Sequence, residues 1–256
     1  MDAAQSRRFW ICPTARAVAQ KASALFGTLV AQAVAERRTC NIALAGGSTP
    51  RLLYNALAES VGDFSVPWGS VNIFFSDERA VPHDHVDSNY HTAQRTLLDF
   101  VPIPPQQIHP MPADADDLAA AAATYEQTIR QAVPAGPEGI PQFDLVLLGV
   151  GADGHTASLF PGSEALEERE ALIASPHVRN LGRHRMTFTF PLINAARAVM
   201  MLITQRDKTN VVSTMFGPDA QSIPAGRVQP THGEHLVLLD SAAAQKLKPA
   251  LRDLAS

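Results

Sequence analysis

The sequence has little cysteine, little excess charge and no long apolar run. Its two cysteines, Cys12 and Cys40, stand apart with no C-x-x-C spacing. That excludes a disulfide framework, and a reducing compartment is the simplest setting. No stretch approaches the ~20 continuous apolar residues that a membrane-spanning helix requires. The first residues carry Arg7 and Arg8 but no apolar segment of the secretory kind, so the chain is expected to be cytoplasmic and free of the membrane. A basic surface is also missing. The formal net charge is −4 at pH 7, which offers no footprint for nucleic acid.

What is present suits a globular α/β protein. The chain has 256 residues, 46% of them hydrophobic, and is expected to form a single domain over 1–256. Apolar runs at 41–45, 71–75, 143–148, 199–203 and 236–239 read as buried strands. Helical patterns fall between most of them, at 51–59, 118–133 and 208–215. Residues 14–36 form one helix ahead of the first strand, with Thr14 as N-cap. Val18, Ala22, Leu25, Phe26, Leu29, Ala33 and Val34 recur at helical spacing there. Non-alternating strands separated by helices predict a mostly parallel sheet covered on both faces. Residues 186–190 are a further strand, antiparallel or at an edge. Two proline-bearing connectors, 102–112 and 134–141, mark no domain boundary, because the strand–helix rhythm resumes after each.

In such sheets ligands bind beyond the carboxyl ends of the strands. Three of these ends are unusual. After the first run comes Ala45-Gly46-Gly47-Ser48-Thr49-Pro50. Two glycines permit a sharp turn, Ser48 or Thr49 is placed to cap the next helix, and free N–H groups at a helix start attract an anion. The bland reading is a tight, well-capped turn. After the second run comes Ser76-Asp77-Glu78-Arg79, where three charges leave the core together and must be solvated or paired. Asp87, Ser88 and Asn89 precede a helical stretch and are placed to cap it. His83, His85 and the nearby Asp84 and Asp87 look like metal ligands, but no regular element holds them in a set geometry, so no metal is expected.

The third end carries Gly149-Val150-Gly151-Ala152-Asp153-Gly154-His155. Its glycines spell G-x-G-x-x-G, the dinucleotide fingerprint. The context contradicts that reading. Pro161 interrupts any following helix, and the acidic residues at the required distance, Glu167, Glu168 and Glu170, lie in a charged helical stretch. The turn instead presents Asp153 and His155 at a strand mouth, and histidine is the natural general base near neutral pH. Farther on, Arg185 opens an apolar segment. Lys208 stands at a helix start, where a cation opposes the helix dipole and an anionic ligand would explain it; a solvated lysine is the alternative.

Together these loops resemble the 6-phosphogluconolactonase family. The resemblance rests on AGGSTP at 45–50, FFSDERAVP at 74–82, DSNY at 87–90, LGVGADGHTASLFPGS at 148–163, RMTFTFPLIN at 185–194 and VQP at 228–230. It implies a Rossmann-like three-layer α/β/α sandwich. It implies hydrolysis of 6-phosphoglucono-1,5-lactone, a sugar-phosphate lactone, with neither metal nor organic cofactor. His155 would be the general base, Arg79 a substrate-contacting arginine, and Gly46, Gly47, Ser48 and Thr49 the turn at the ligand. Asp77 would join that substrate shell, and Arg185 and Lys208 would hold the phosphate. Asp153 either orients His155 or binds a sugar hydroxyl. The family often has T-G-x-x-K before the lysine, whereas Thr204-Gln205-Arg206-Asp207-Lys208 stands here. Deaminases of the same fold carry F-N-E-P and M-D-E-Y types of sequence where this chain has SLFPG and SDER. A sugar-phosphate sensor would need an appended DNA-binding segment. The oligomeric state, monomer or dimer, is left open.

Overall fold

The five apolar runs predicted as buried strands, at 41–45, 71–75, 143–148, 199–203 and 236–239, enter one sheet. The computed structural model describes residues 7–60, 66–178 and 182–249. In chain order these form β1 (Arg7–Cys12), α1 (Ala15–Arg37), β2 (Cys40–Leu44), α2 (Ser48–Glu59), β3 (Val71–Phe75), β4 (Asp77–Arg79) and α3 (Asn89–Ala93). There follow α4 (Leu118–Ala132), β5 (Leu145–Leu148), β6 (Ile173–Ala174), β7 (His177–Val178) and β8 (Arg183–Phe188). The last are α5 (Phe190–Asn194), β9 (Ala198–Ile203), α6 (Thr209–Met215) and β10 (Glu234–Asp240).

The main sheet has the order β1-β10-β9-β5-β2-β3, and every neighbouring pair in it is parallel. Helices flank it, in agreement with the predicted α/β/α class. The strands β2, β5 and β9 are buried along their whole length, so they read as apolar runs without alternation. On α1 the buried side chains Val18, Ala22, Phe26, Val30 and Ala33 repeat at helical spacing. Thr14 caps it, its Oγ1 accepting from the Ala17 N–H at 3.2 Å.

Four expectations need correction. A strand, β1, precedes α1, so α1 is not preceded by loop alone. Its apolar content is hidden by Arg7 and Arg8. Arg8 reaches Glu234 at 3.5 Å, and Arg7 lies over the Phe216 ring. The strand predicted at 143–148 begins only at Leu145, because the Asp144 carboxylate accepts the Asn41 N–H at 2.8 Å. Neither Ser48 nor Thr49 caps α2: the cap is Gly47, and both hydroxyl residues already lie inside the helix. The helix predicted at 208–215 starts one residue later, at Thr209, because Lys208 closes a 3-10 turn, Arg206–Lys208.

The order of β5-β2-β3 on one side and β5-β9-β10 on the other makes the β2/β5 boundary the point where the winding reverses. A crevice opens there beyond the carboxyl ends. Two tyrosines hold the backbone at the ends of β2 and β3. Tyr54 of α2 donates to the Ala45 carbonyl at 2.6 Å and accepts the Ala45 N–H at 3.0 Å. Tyr125 of α4 accepts the Phe75 N–H at 3.1 Å and donates to the His109 carbonyl at 2.9 Å. Each replaces a ladder partner that the strand end has lost, so the buried backbone groups stay satisfied.

From β3 the chain turns at Ser76 into a small antiparallel sheet, β4-β8-β6, with β7 also on β8. Ser76 joins the two sheets: its N–H and hydroxyl donate to the Leu44 carbonyl, and its own carbonyl accepts from Phe188. The run predicted at 186–190 is the end of β8, antiparallel as one reading had it. Phe190 has already entered α5. Among the described residues no helix is long and apolar enough to cross a membrane.

Candidate active site

A cavity of about 590 Å³ lies over the carboxyl ends of β2, β3, β5 and β9. All ten predicted site residues line it: Gly46, Gly47, Ser48 and Thr49 from the exit of β2, Asp77 and Arg79 from β4, Asp153 and His155 from the exit of β5, Arg185 from β8, and Lys208 beyond β9.

The turn after β5 is closed by two backbone bonds, Gly151 N–H to the His155 carbonyl at 2.9 Å and Gly154 N–H to the Gly151 carbonyl at 3.0 Å. No helix follows, which disposes of the dinucleotide reading. The His155 imidazole is held on three sides. Its Nδ1 is 2.6 Å from Asp153 Oδ1, its ring stacks on Phe160 at 4.2 Å between centroids, and Gly151 lies underneath. A Cβ on Gly151 would sit 2.1 Å from Nδ1, so only glycine lets the ring approach. With Nδ1 engaged, Nε2 is the nitrogen left to meet a ligand. Partial burial alone would raise the Asp153 carboxyl. The His155 ring and the His155 N–H outweigh it and hold the group below the usual carboxylate range.

The Ser76-Asp77-Glu78-Arg79 segment solves its charge problem with hydrogen bonds. Asp77 is buried; it accepts from Ser158 Oγ at 2.7 Å and from Asn89 Nδ2 at 3.2 Å. Glu78 is fully buried and accepts four donors: the N–H groups of Arg79, Asn89 and Tyr90 at 2.8, 2.7 and 2.8 Å, and Ser88 Oγ at 2.9 Å. Burial pushes the Glu78 carboxyl upward, and those donors pull against it. Glu78 therefore fastens the start of α3 to β4 and fixes the residue on each side of it. Of the three residues placed to cap α3, Ser88 does so: its Oγ accepts the His91 N–H at 3.1 Å.

Arg79 and Arg185 are direct cross-strand partners on β4 and β8. Arg79 Nη1 donates to the Asp87 carbonyl. Arg185 is 8% exposed, and among the described residues its side chain donates to the His184 carbonyl at 3.2 Å. Burial first, and the neighbouring Arg79 charge second, lower the Arg185 pKa, with Asp77 opposing. Two adjacent guanidinium groups in a cavity create a demand for an anion. Lys208 is already partly neutralised: its Nζ pairs with Asp207 at 2.9 Å.

The exit of β2 supplies backbone. Gly47 has φ +105°, and the first turn of α2 has no side-chain cap, which leaves its N–H groups for a ligand. Thr49 Oγ1 meets Thr204 Oγ1 at 2.7 Å and ties this turn to the one after β9. The Asp87 region holds no converging metal ligands: His83 turns to the Met111 carbonyl at 2.8 Å and Asp87 to Arg183 at 2.8 Å.

Sequence reasoning missed Asn89, Ser158, Phe160, Thr204 and Gln205 as parts of the site. Asn89 was read only as a cap. In the fold it reaches Asp77 and packs against Gly46, where a Cβ would lie 1.8 Å from its Oδ1. Asn89, Ser158, Thr204 and Gln205 act on residues distant in the chain, and Phe160, five residues from His155, reads as an ordinary apolar residue.

The sequence and the fold have counterparts among known proteins. A family model described as glucosamine-6-phosphate isomerases/6-phosphogluconolactonase matches residues 13–237. The 6-phosphogluconolactonase of Synechocystis sp. is 43% identical over 224 residues, covering 87% of this chain and 90% of its own. A crystal structure of the devB protein superposes with a TM-score of 0.86 at 31% identity, over 94% of this chain and 100% of the other. The 6-phosphogluconolactonase of Trypanosoma brucei does so with a TM-score of 0.84 at 28% identity, over 96% and 100%. The matched span takes in β2, β5, β9 and every turn that faces the cavity, and on that ground the chain belongs to the glucosamine-6-phosphate isomerase/6-phosphogluconolactonase family.

Proposed function

We propose that this chain hydrolyses 6-phosphoglucono-1,5-lactone to 6-phosphogluconate. The observation that carries the reading is the His155–Asp153 pair, 2.6 Å apart, in one cavity with Arg79, Arg185 and Lys208. Curated relatives named 6-phosphogluconolactonase, 43% and 39% identical over most of the chain, support the choice of substrate.

The chemistry follows from the side chains. Asp153 holds Nδ1 of His155 and orients the ring. Nε2 takes a proton from water as its oxygen bonds to the lactone C1, and the carbonyl electron pair moves onto its oxygen. Arg79 or the amides of the glycine turn stabilise that oxyanion. Collapse breaks the bond from C1 to the ring oxygen, and His155 returns its proton to the departing oxygen. The product is the open-chain acid, which ionises. Arg185 and Lys208 grip the phosphate, remote from C1, and that binding energy sets the ring in place. Asp77, buried and held by Ser158 and Asn89, is positioned for a sugar hydroxyl. We assign this work to one domain in the cytoplasm; the free thiols Cys12 and Cys40 are in keeping with a reducing compartment.

The test is hydrolysis of lactone generated in situ, set against the spontaneous rate, for wild type and His155→Ala. Acceleration lost in the variant is expected. Acceleration that survives would move the base elsewhere, and no acceleration by wild type would overturn the activity.

A further inference from the structure

Among the described residues, three that are not glycine have positive φ: Arg38, Ala157 and Gln205. Arg38 closes α1 at φ 70°, ψ −16°, a common helix ending. Gln205 is of another kind. Its φ 85°, ψ 151° lies outside the left-handed helical well, in a region that almost only glycine adopts.

Such a conformation persists only where its surroundings over-determine it. Here they do. The Gln205 N–H donates to both oxygens of the buried Asp240 carboxylate, at 3.0 and 3.2 Å. Asp240 is itself fixed by the Ala243 N–H at 2.8 Å. The Gln205 carbonyl accepts the Lys208 N–H at 3.2 Å, and the preceding Thr204 is tied to Thr49. Glycine would fit this turn without strain, yet a long amide side chain stands there. That side chain is exposed, lines the cavity, and has no hydrogen-bond partner among the described residues. It shares the β9 exit with Lys208, whose charge is partly taken up by Asp207.

We propose that Gln205 is a specificity-determining residue: its carboxamide donates to the substrate's phosphate beside Lys208 and so favours the phosphorylated lactone. A neutral donor suits this place, because it adds a hydrogen bond to the anion without a further cation to desolvate. The assignment rests on the lactonase reading above.

The experiment compares wild type with Gln205→Ala, Gln205→Gly and Gln205→Glu. It reads KM and kcat for the phosphorylated lactone, calorimetric binding of 6-phosphogluconate, and Tm. Gln205→Ala should raise KM and weaken 6-phosphogluconate binding about five- to tenfold, the net effect of losing one hydrogen bond at a solvent-exposed position, with kcat held. Gln205→Gly should weaken both equally and also raise Tm, because the strain is gone. Gln205→Glu should be the worst binder, through repulsion of the phosphate. Unchanged KM and binding in the Ala and Gly variants would overturn the proposal, even with Tm raised, because Gln205 would then be a strained bystander. A fall in kcat at constant KM would overturn it too, by placing the residue at C1. If wild type neither accelerates hydrolysis nor binds 6-phosphogluconate, the lactonase reading itself fails and the Gln205 assignment with it. An active wild type with indifferent variants removes Gln205 alone.

Discussion

Two turns leave the main sheet into the same cavity, one after β5 and one after β9, and they solve the same problem differently. After β5, glycine stands at the two tightest places: Gly154 takes φ +87°, and Gly151 makes room for the His155 ring, while Ala157 just beyond takes only the milder φ +49°. After β9, a glutamine holds a glycine-like conformation, and a buried carboxylate from the neighbouring strand keeps it there. The first turn is locally consistent. The second depends on Asp240, which arrives 35 residues later. The lesson is that a site's backbone shape can be secured by residue choice or by tertiary force, and only the first leaves a mark in the local sequence.

The comparison breaks most severely at Gly151. Gly151→Ala places a methyl in the imidazole's position, so kcat should fall about ten- to a hundredfold through misplacement of the base. Circular dichroism and Tm near wild type would show that the loss is local; unchanged kcat would mean that the ring does not need its present seat. On the other turn, Lys208→Ala should raise KM for the phosphorylated lactone about tenfold while sparing gluconolactone. Equal effects on both lactones would remove the phosphate role.

Asp240→Asn tests the tertiary hold directly. It weakens the acceptor for one buried and one half-buried N–H group, and about 1–3 kcal/mol of stability should be lost on chemical denaturation. The same change in a Gln205→Gly background should cost less, because the turn then needs less force; equal costs would show the two residues to be uncoupled.

The smallest expected effect is a pH dependence at the β5 turn. The Asp153 carboxyl is held below its ordinary value of 3.8, so it contributes stability above that pH and loses it as pH falls through the depressed folded-state value. The stability gap between wild type and Asp153→Asn should therefore narrow on going from about pH 6 to about pH 3. With the Asp153 side chain 52% exposed, solvent screens the pair and the gap stays small. A gap that widened in acid would contradict the sign.

The legibility of this protein follows the same division. β2, β3, β5, β9 and β10 announce themselves because strands buried on both faces must be apolar throughout. β1 does not, because its two arginines find partners, Phe216 and Glu234, that lie over 200 residues away. The catalytic candidates Asp153 and His155 are legible because a glycine-rich turn is the local means of presenting them. Phe160, which stacks on that histidine, reads as an ordinary apolar residue. Ser158 and Asn89 read as a loop residue and a cap, yet they converge on Asp77 from segments 81 and 12 residues away.

By itself, then, the sequence determined five strands of the main sheet, most of the covering helices and the turns where a ligand meets the sheet, since periodicity and glycine placement are local consequences of burial and backbone sterics. Only the tertiary structure decided which side chains hold those groups in place. It set Arg185 beside Arg79, seated His155 between Phe160 and Gly151, and bent Gln205 over Asp240. Those contacts depend on the order and register of strands, which no single segment encodes.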